Sequence, residues 1–357
     1  MYIAKESFLG VNSEAGFYSL FEDFINKRSR VYVIKGGPGT GKSTLMRSIG
    51  KQAEQRGLEV EYLHCSSDPA SLDGIFVKEL GACMVDGTPP HVLEPPYPGA
   101  VGNIVNIYPF WDREKLQAGA AQIKELNGQI SALFDRTYLY LGAAGKLQRD
   151  LQQIGNELCN RSKLKGYTER MSGKYLKPQN KAPREEKRLL SAFTPDGNVF
   201  FKNTLKAGMD KVLVFEDEYG VSSKVLELLR ERALKNGHSI TSCYHPLIPG
   251  LLEHIVFEDI GLCVCTSNSL HRVEAQPYCR VNIGRFLDVD KEKRNKAKIG
   301  FLIRARDEIL AEAVGILHCC HKLHDELEAY YRDAMDFEAL QTYAELLADD
   351  FLRPAGQ

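Results

Sequence analysis

Eight consecutive residues carry the chain's most specific chemistry: Gly36-Gly37-Pro38-Gly39-Thr40-Gly41-Lys42-Ser43. They match the spacing G-x-x-x-x-G-K-[ST] in full, and the context is the one such a loop requires. Val31-Tyr32-Val33-Ile34-Lys35 is β-rich and nearly all apolar, which predicts a buried strand before the loop. Leu45, Met46 and Ile49 predict a helix starting near Lys42. Glycines let the backbone curl so that its N–H groups converge on phosphate oxygens. The helix N-terminus adds unpaired N–H groups and a positive dipole end. Lys42 is expected to reach the β- and γ-phosphates, and Ser43 to place its hydroxyl on Mg²⁺. Thr44 completes the expected nucleotide contacts of residues 36–44. The chemistry indicated is binding of a nucleoside triphosphate, with ATP and Mg²⁺ as the expected cofactors.

A magnesium site of this kind needs a carboxylate at the end of a neighbouring strand. Ala82-Cys83-Met84-Val85-Asp86 supplies one, so Asp86 is the expected second metal-side residue. Gly87 follows it where many ATPases carry a second acid, so no strong hydrolytic base is visible there. Leu58–Leu63 predicts another strand, ending in His64-Cys65-Ser66-Ser67-Asp68 and continuing through Leu72-Asp73-Gly74. Strand carboxyl ends face the ligand in doubly wound sheets, so His64, Asp68 and Asp73 could approach a γ-phosphate or a second substrate. The alternative for Asp68 and Asp73 is a loop rich in capping residues.

The chain also repeats itself. Leu72–Glu94 aligns with Leu252–Glu274 at an offset of 180, with identities at Leu72/Leu252, Ile75/Ile255, Gly81/Gly261, Cys83/Cys263, His91/His271 and Glu94/Glu274. At an offset of 181, Lys211–Phe215 falls on the first strand and Glu216-Asp217-Glu218-Tyr219-Gly220-Val221-Ser222-Ser223-Lys224 on the loop. Lys42 then meets Ser223, Gly36 meets Asp217, and Asp86 meets Thr266 at the 180 offset. Carboxylates in an anion nest repel a triphosphate, so the second copy reads as a decayed phosphate site.

Each copy precedes a helical stretch, about 112–160 and 290–350. Lys146-Leu147 with Asp150-Leu151 parallels Lys322-Leu323 with Glu326-Leu327. Their apolar stripes predict core-facing sides, with a protein-partner surface as the alternative. Residues 160–188 hold ten Lys or Arg against three Glu, with Pro178 and Pro183, and read as a solvated linker. Aromatic residues there are few, which argues against nucleic acid. His318-Cys319-Cys320-His321 with His324 suggests zinc, but on a helix the cysteines leave the histidine face, so structural roles are favoured. Asn26-Lys27-Arg28-Ser29 precedes the loop and lacks the acid of a guanine-binding motif, which favours ATP over GTP.

Bulk properties set the frame. With 357 residues, 43% hydrophobic and 26% charged, and a net charge of −1, the composition is that of a globular protein without a global field for nucleic acid or anionic lipid. No apolar stretch of about 18 residues exists, so no membrane span is expected. Nine irregularly spaced cysteines and the absence of an apolar signal core near Met1 predict reduced thiols and a cytoplasmic location.

Lys35 through Leu45 resembles the P-loop NTPase superfamily. The whole chain resembles a group of duplicated ATP-binding proteins of Gram-positive bacteria. That likeness rests on Ser66-Ser67-Asp68-Pro69 through Leu72-Asp73-Gly74, Val85–His91, Phe193-Thr194-Pro195-Asp196-Gly197, His324–Glu328 and Ala334-Met335-Asp336-Phe337. It implies a nucleotide-binding tandem whose second half often keeps a phosphate loop; this chain departs there. The expected fold is α/β, two tandem P-loop NTPase-like parallel-sheet units (the second degenerate), each followed by a helical segment. The boundaries are 1–112 for the intact unit, 113–190 for helix and basic linker, 191–290 for the degenerate repeat and 291–357 for C-terminal helix. The expected activity is an Mg-dependent ATPase or ATP-driven switch using the first repeat only. Arg230, Arg272 or Arg280 of the second repeat could then act on the γ-phosphate. Two alternatives stand beside it. One is a small-molecule or nucleotide kinase in which His64, Asp68, Asp73 or His91 meets an acceptor hydroxyl. The other is a non-hydrolysing ATP sensor that presents a surface to a protein partner.

Overall fold

A computed structural model of the chain describes residues 4–90, 92–274 and 277–354. The first half runs β1 (Lys5–Phe8), β2 (Gly10–Ser13), β3 (Gly16–Ser19), α1 (Phe21–Ile25), β4 (Arg30–Lys35), α2 (Lys42–Gln55), β5 (Val60–His64), β6 (Leu72–Val77), β7 (Ala82–Asp86), β8 (Gly102–Asn106), α3 (Arg113–Ala118), α4 (Ala120–Leu158) and α5 (Arg161–Tyr175). The second runs β9 (Arg184–Leu189), β10 (Ser191–Thr194), β11 (Gly197–Phe200), β12 (Lys211–Glu216), α6 (Ser222–Lys235), β13 (Ser239–Tyr244), β14 (Leu252–Phe257), β15 (Leu262–Ser267), β16 (Cys279–Asn282), α7 (Val289–Asp333) and α8 (Phe337–Phe351). The protein is α/β, with one large mixed sheet and, among the described residues, eight α-helices.

Twelve strands form that sheet in the order β16-β12-β15-β14-β13-β9-β1-β5-β6-β7-β4-β8. Read outward from its centre, β9-β13-β14-β15-β12-β16 mirrors β1-β5-β6-β7-β4-β8. The central pair, β1 and β9, is antiparallel, with Phe8 opposite Leu189. The two halves therefore point their strand ends in opposite directions.

The expectation of parallel units needs correction at β6 and β14. Each runs antiparallel to both neighbours. The reason is chain length: residues 78–81 join β6 to β7, and a parallel connection needs a dozen residues or more. Asp73, for which a loop was the alternative reading, thus lies in a fully buried strand. The remaining first-half pairs, β1–β5, β4–β7 and β4–β8, are parallel.

Of residues 160–188 only 176–183, with Pro178 and Pro183, form a loop. Leu164, Thr168 and Met171 line the buried side of α5, and Arg184–Leu189 pairs along β13. The basic residues lie largely on the outer side, which is why composition alone resembled a linker.

The end helices are exchanged between halves. α4 and α7 pack along each other in opposite directions: Trp111 bridges Met335 at one end, and Cys159 bridges Leu287 at the other. At 39 and 45 residues they span about 58 and 68 Å. Each leaves its own half and ends at the other. After α4, α5 lays Met171 and Leu176 among Leu229, Phe257, Leu262 and Val264 of the second half. After α7, α8 buries Leu340, Leu347 and Phe351 with Leu45, Met46, Ile49 and Ala53 of the first half's α2. Side chains cap the starts in matching fashion: Asp112 and Asp288 on α3 and α7, Asn160 and Asp336 on α5 and α8.

Ion pairs cross the central seam. Arg188 of β9 forks onto Glu61 of β5 at 2.7 and 2.9 Å, and Ser7 of β1 donates to the same carboxylate at 2.7 Å. Arg188 is 4% exposed. Burial pushes the Glu61 carboxyl up, but the Arg188 charge and hydrogen bonds outweigh it and carry it down to about 2. A lowered folded-state value means stability that is present above the ordinary 4.5 and lost as pH falls toward 2. Urea unfolding followed against pH should show on the order of 3 kcal/mol lost over that window. In Glu61→Gln that part of the acid limb should vanish while stability at neutral pH drops.

Candidate functional site

The loop between β4 and α2 sits where the sequence predicts. β4 lies between β7 and β8, with Val33 opposite Val85 and Ile34 opposite Asp86. Val31, Val33 and Ile34 are fully buried, so the strand end that launches the loop is fixed. Thr40 is 1% exposed and ties the loop to itself, its hydroxyl donating to the Gly37 carbonyl at 2.7 Å. Gly36 is buried, Pro38 is half-buried, and Gly41 caps α2 in the left-handed region with φ 84°. Thr44 is exposed on the first turn of α2.

Lys42 folds back over the loop. Its Nζ donates to the Gly37 carbonyl at 2.5 Å and the Gly36 carbonyl at 3.3 Å, and lies 3.5 Å from Asp86 Oδ2. Asp86 Oδ1 accepts from the Thr88 amide at 2.9 Å and the Thr88 hydroxyl at 2.6 Å. Burial pushes the Asp86 carboxyl up, the Lys42 charge pulls it down, and the nearby Asp73 charge pushes it up again. Ser43 Oγ accepts from the Leu72 amide at 2.9 Å, which fixes its position beside the start of β6. Lys42, Ser43, Asp73 and Asp86 therefore converge.

Two other sequence candidates are held by partners of their own. Asp68 makes a turn: it accepts from Ser71 Oγ at 2.5 Å and from the Ala70 amide at 3.1 Å. His64 places Nδ1 2.8 Å from the Pro69 carbonyl and Nε2 3.2 Å from Glu6, its ring 4.6 Å from that of Phe201. His91 lies outside the described residues.

The arginines proposed to reach across are placed far away. β12 and β16 lie at the opposite edge of the sheet from β4 and β8. Arg280 bonds Glu216 at 3.1 Å, and Arg230 forks onto Glu185 at 2.6 and 2.7 Å. Arg272, with Arg280, Asp217, Glu218 and Glu292, lines a cavity of ≈ 540 Å³ at the second half's own strand ends. The antiparallel seam causes this, because it turns the two sets of strand ends away from each other.

The counterpart loop has neutral groups where the Lys42–Asp86 pair stands. It is one residue shorter, five residues between β12 and α6 against six between β4 and α2, so α6 starts at Ser222 where α2 starts at Lys42. Strand register agrees, since Phe215 opposes Thr266 as Ile34 opposes Asp86. The ungapped alignment that set Lys42 on Ser223 is thus off by one. Ser222 Oγ and Thr266 Oγ1 are 3.0 Å apart, two hydroxyls in place of an ammonium and a carboxylate. Asp217, 3% exposed, fills the turn with its own side chain, accepting from the Tyr219 amide at 2.9 Å and the Ser222 amide at 2.5 Å. Those two amides are thus spent on an internal carboxyl group.

A buried cluster in the second half tests poorly as a metal centre. Ligand atoms of Glu253, His254 and His271 lie within 4.8 Å of one another, and His245 stands 3.9 Å from Glu253. His254 Nδ1 accepts the Thr266 amide at 3.1 Å, and His245 Nδ1 accepts the Leu247 and Ile248 amides at 3.1 and 3.3 Å. Those amides leave each neutral ring with its proton on Nε2, facing Glu253, where a metal needs a lone pair. Burial pushes Glu253 up to about 8, so it is largely neutral at pH 7.

The sequence reading missed what covers the first loop. Tyr331 and Glu328 of α7 and Phe337 and Leu340 of α8 press on its glycines. A Cβ on Gly37 would stand 2.7 Å from the Tyr331 ring, and one on Gly39, at φ +66°, 2.8 Å from the Glu328 carbonyl oxygen. The only hint was the repeated leucine spacing of the two long helices. Comparison with family models, curated proteins and solved structures finds no match to this chain. Gly39→Ala should therefore lower stability by about 1–3 kcal/mol and raise protease cleavage at the α7–α8 corner, whereas Gly128→Ala, with no atom within 4 Å, should not destabilise.

Proposed function

We propose that the first half binds a nucleoside triphosphate with Mg²⁺, ATP rather than GTP, and that the chain is an ATPase or ATP-driven switch of the P-loop NTPase kind. One observation carries the reading: a full-length glycine-rich motif between a buried strand and a helix, with Lys42 3.5 Å from a strand-end carboxylate. In this reading the loop amides hold the phosphates, Lys42 leaves the Gly36 and Gly37 carbonyls for the β- and γ-oxygens, and Ser43 and Asp86 hold Mg²⁺. The metal also offsets the cost of Asp86, a carboxylate that burial otherwise pushes toward the protonated form.

The second half is proposed as a degenerate unit of the same descent that binds no nucleotide. The internal Asp217 plug and the Ser222–Thr266 hydroxyl pair support this. The resemblance to duplicated ATP-binding proteins of Gram-positive bacteria and a cytoplasmic location belong to the same proposal. Among the described residues, no helix is long and apolar enough to cross a membrane. In the kinase alternative Asp73 is the acceptor-side group that lies beside Asp86.

Calorimetry with MgATP on the whole chain should show a single nucleotide bound. Lys42→Ala should weaken it at least tenfold, the scale of one lost charged hydrogen bond. Asp86→Asn should abolish the dependence on Mg²⁺. Two nucleotides per chain, or none, would overturn the assignment.

A further inference from the structure

The two halves place equivalent helices at equivalent positions and give them opposite charge. α5 and α8 have 15 residues each and correspond at an offset of 176, as do the caps before them, Asn160 and Asp336. Their buried positions agree in kind, Leu164 with Leu340 and Met171 with Leu347. Their other positions do not. α5 carries Arg161, Lys163, Lys165, Arg170 and Lys174 against Glu169, whereas α8 carries Glu338, Glu345, Asp349 and Asp350 and no Lys or Arg. Packing on the sheet therefore does not require the basic face. All five cations of α5 are exposed. Among the described residues only Lys165 of the five has a carboxylate within ion-pair distance, Glu169 at 3.9 Å. In a chain of net charge −1 this is a local concentration of unpaired positive charge.

Helical spacing divides these cations between two flanks. Leu164, Thr168 and Met171 face the core. Lys163, Arg170 and Lys174 share one flank with Tyr167, and Arg161 and Lys165 lie on the other. The Tyr167 ring lies 5.3 Å from that of Phe286 and 6.3 Å from that of Phe215. Its flank therefore borders the edge of the sheet, where β16 ends the strand order beside β12. Two more cations stand on this border. Lys211 of β12 is on the same sheet face as Phe215, and its Nζ lies 5.7 Å from the ring centre of Tyr278, which is 56% exposed. The Arg285 guanidinium lies 5.4 Å from the ring centre of Phe286, and Lys174 Nζ lies 4.9 Å from that of Tyr175. Residues 160–188 hold few aromatic residues along the chain, and the fold adds Tyr278 and Phe286 from further on.

We propose that this border of the second half binds single-stranded nucleic acid, with Lys163, Arg170, Lys174, Lys211 and Arg285 on its phosphates and a base stacked on Tyr278, without dependence on sequence. The proposal is independent of what the first half binds. Phosphates meet Lys and Arg with release of counterions, and that term is indifferent to sequence. An exposed ring beside a cation is a platform for any base. In a duplex each base is already paired and stacked, so Tyr278 favours the single strand. An anionic bilayer fits this surface less well. α5 turns its apolar residues inward, and no large hydrophobic side chain between 161 and 181 is exposed, so nothing there would enter a headgroup layer.

The test titrates the whole chain into fluorescein-labelled oligothymidylate and oligouridylate of about 20 residues, beside a DNA duplex of the same length and phosphatidylserine vesicles, from about 50 mM salt upward. Both single strands should bind more tightly than the duplex, and the vesicles should not bind. The logarithm of the binding constant should fall against that of the salt concentration with a slope of about −3, from five phosphates at about −0.7 each. Lys163→Ala, Arg170→Ala and Lys174→Ala combined should weaken binding at least tenfold and flatten the slope by about 2. Arg161→Ala with Lys165→Ala, on the other flank, should change binding less than about threefold. Tyr278→Ala should weaken it about tenfold and Tyr278→Phe should retain it. All these side chains are exposed, and unchanged thermal unfolding checks that each variant folds. Bound oligothymidylate should also shield the exposed Cys279 of β16 from iodoacetamide while the exposed Cys319 of α7 stays as reactive as before. No binding of either strand, tighter binding of the duplex, equal losses from the two flanks, or an unshielded Cys279 would each overturn the proposal. So would vesicle binding, or self-association in sedimentation, that the triple variant abolishes, since the border would then serve a lipid surface or a second copy of the chain.

Discussion

The architecture depends on two long helices running past each other in opposite directions. α4 and α7 leave their own halves and deliver α5 and α8 to the other. Neither half closes its core alone: the apolar face of α2 is covered by Leu340, Leu347 and Phe351, contributed from the far end of the chain. The sheet seam and its buried Arg188–Glu61 pair align the halves, but the crossing helices make their separation costly. Glycine at positions 37 and 39 is required by that crossing, because α7 leaves no room for a Cβ.

Within this two-fold frame the halves have drifted apart electrostatically while keeping their packing. A lysine and an aspartate on one side correspond to a serine and a threonine on the other, and the neutral pair closes its own hydrogen bond at 3.0 Å. In the second half the turn is filled from within by the Asp217 carboxyl. Strand order, register and helix caps are retained because they carry the fold; the charged groups are not needed for it.

Much of the glycine-rich loop's setting was legible because it is local. A buried strand, a full motif and an amphipathic helix follow one another within residues 30–55, and Ala82–Asp86 announces its strand equally well. β6 was not legible, since Asp73-Gly74 are turn formers and only pairing with β5 and β7 makes them strand. α5 was hidden by its charge, although Leu164, Thr168 and Met171 carried the helical period. The shortened second loop defeated ungapped alignment by one residue. The coverage of Gly37 and Gly39 by α7 could not be read at all, because it depends on a contact between residues nearly 300 positions apart.

The exchange of end helices also dictates the order in which the chain can become native as it is synthesised. The second half receives α5 from upstream, so every element of its own layer is present once β16 and the start of α7 emerge. The first half is made earliest but waits for α8, whose Phe351 and Leu347 complete the core around Ile49 and Met46. Closing a loop of that length delays the rewarding contacts. The half with the intact motif is therefore the last to finish, and its loop acquires its cover only when nearly the whole polypeptide is in place.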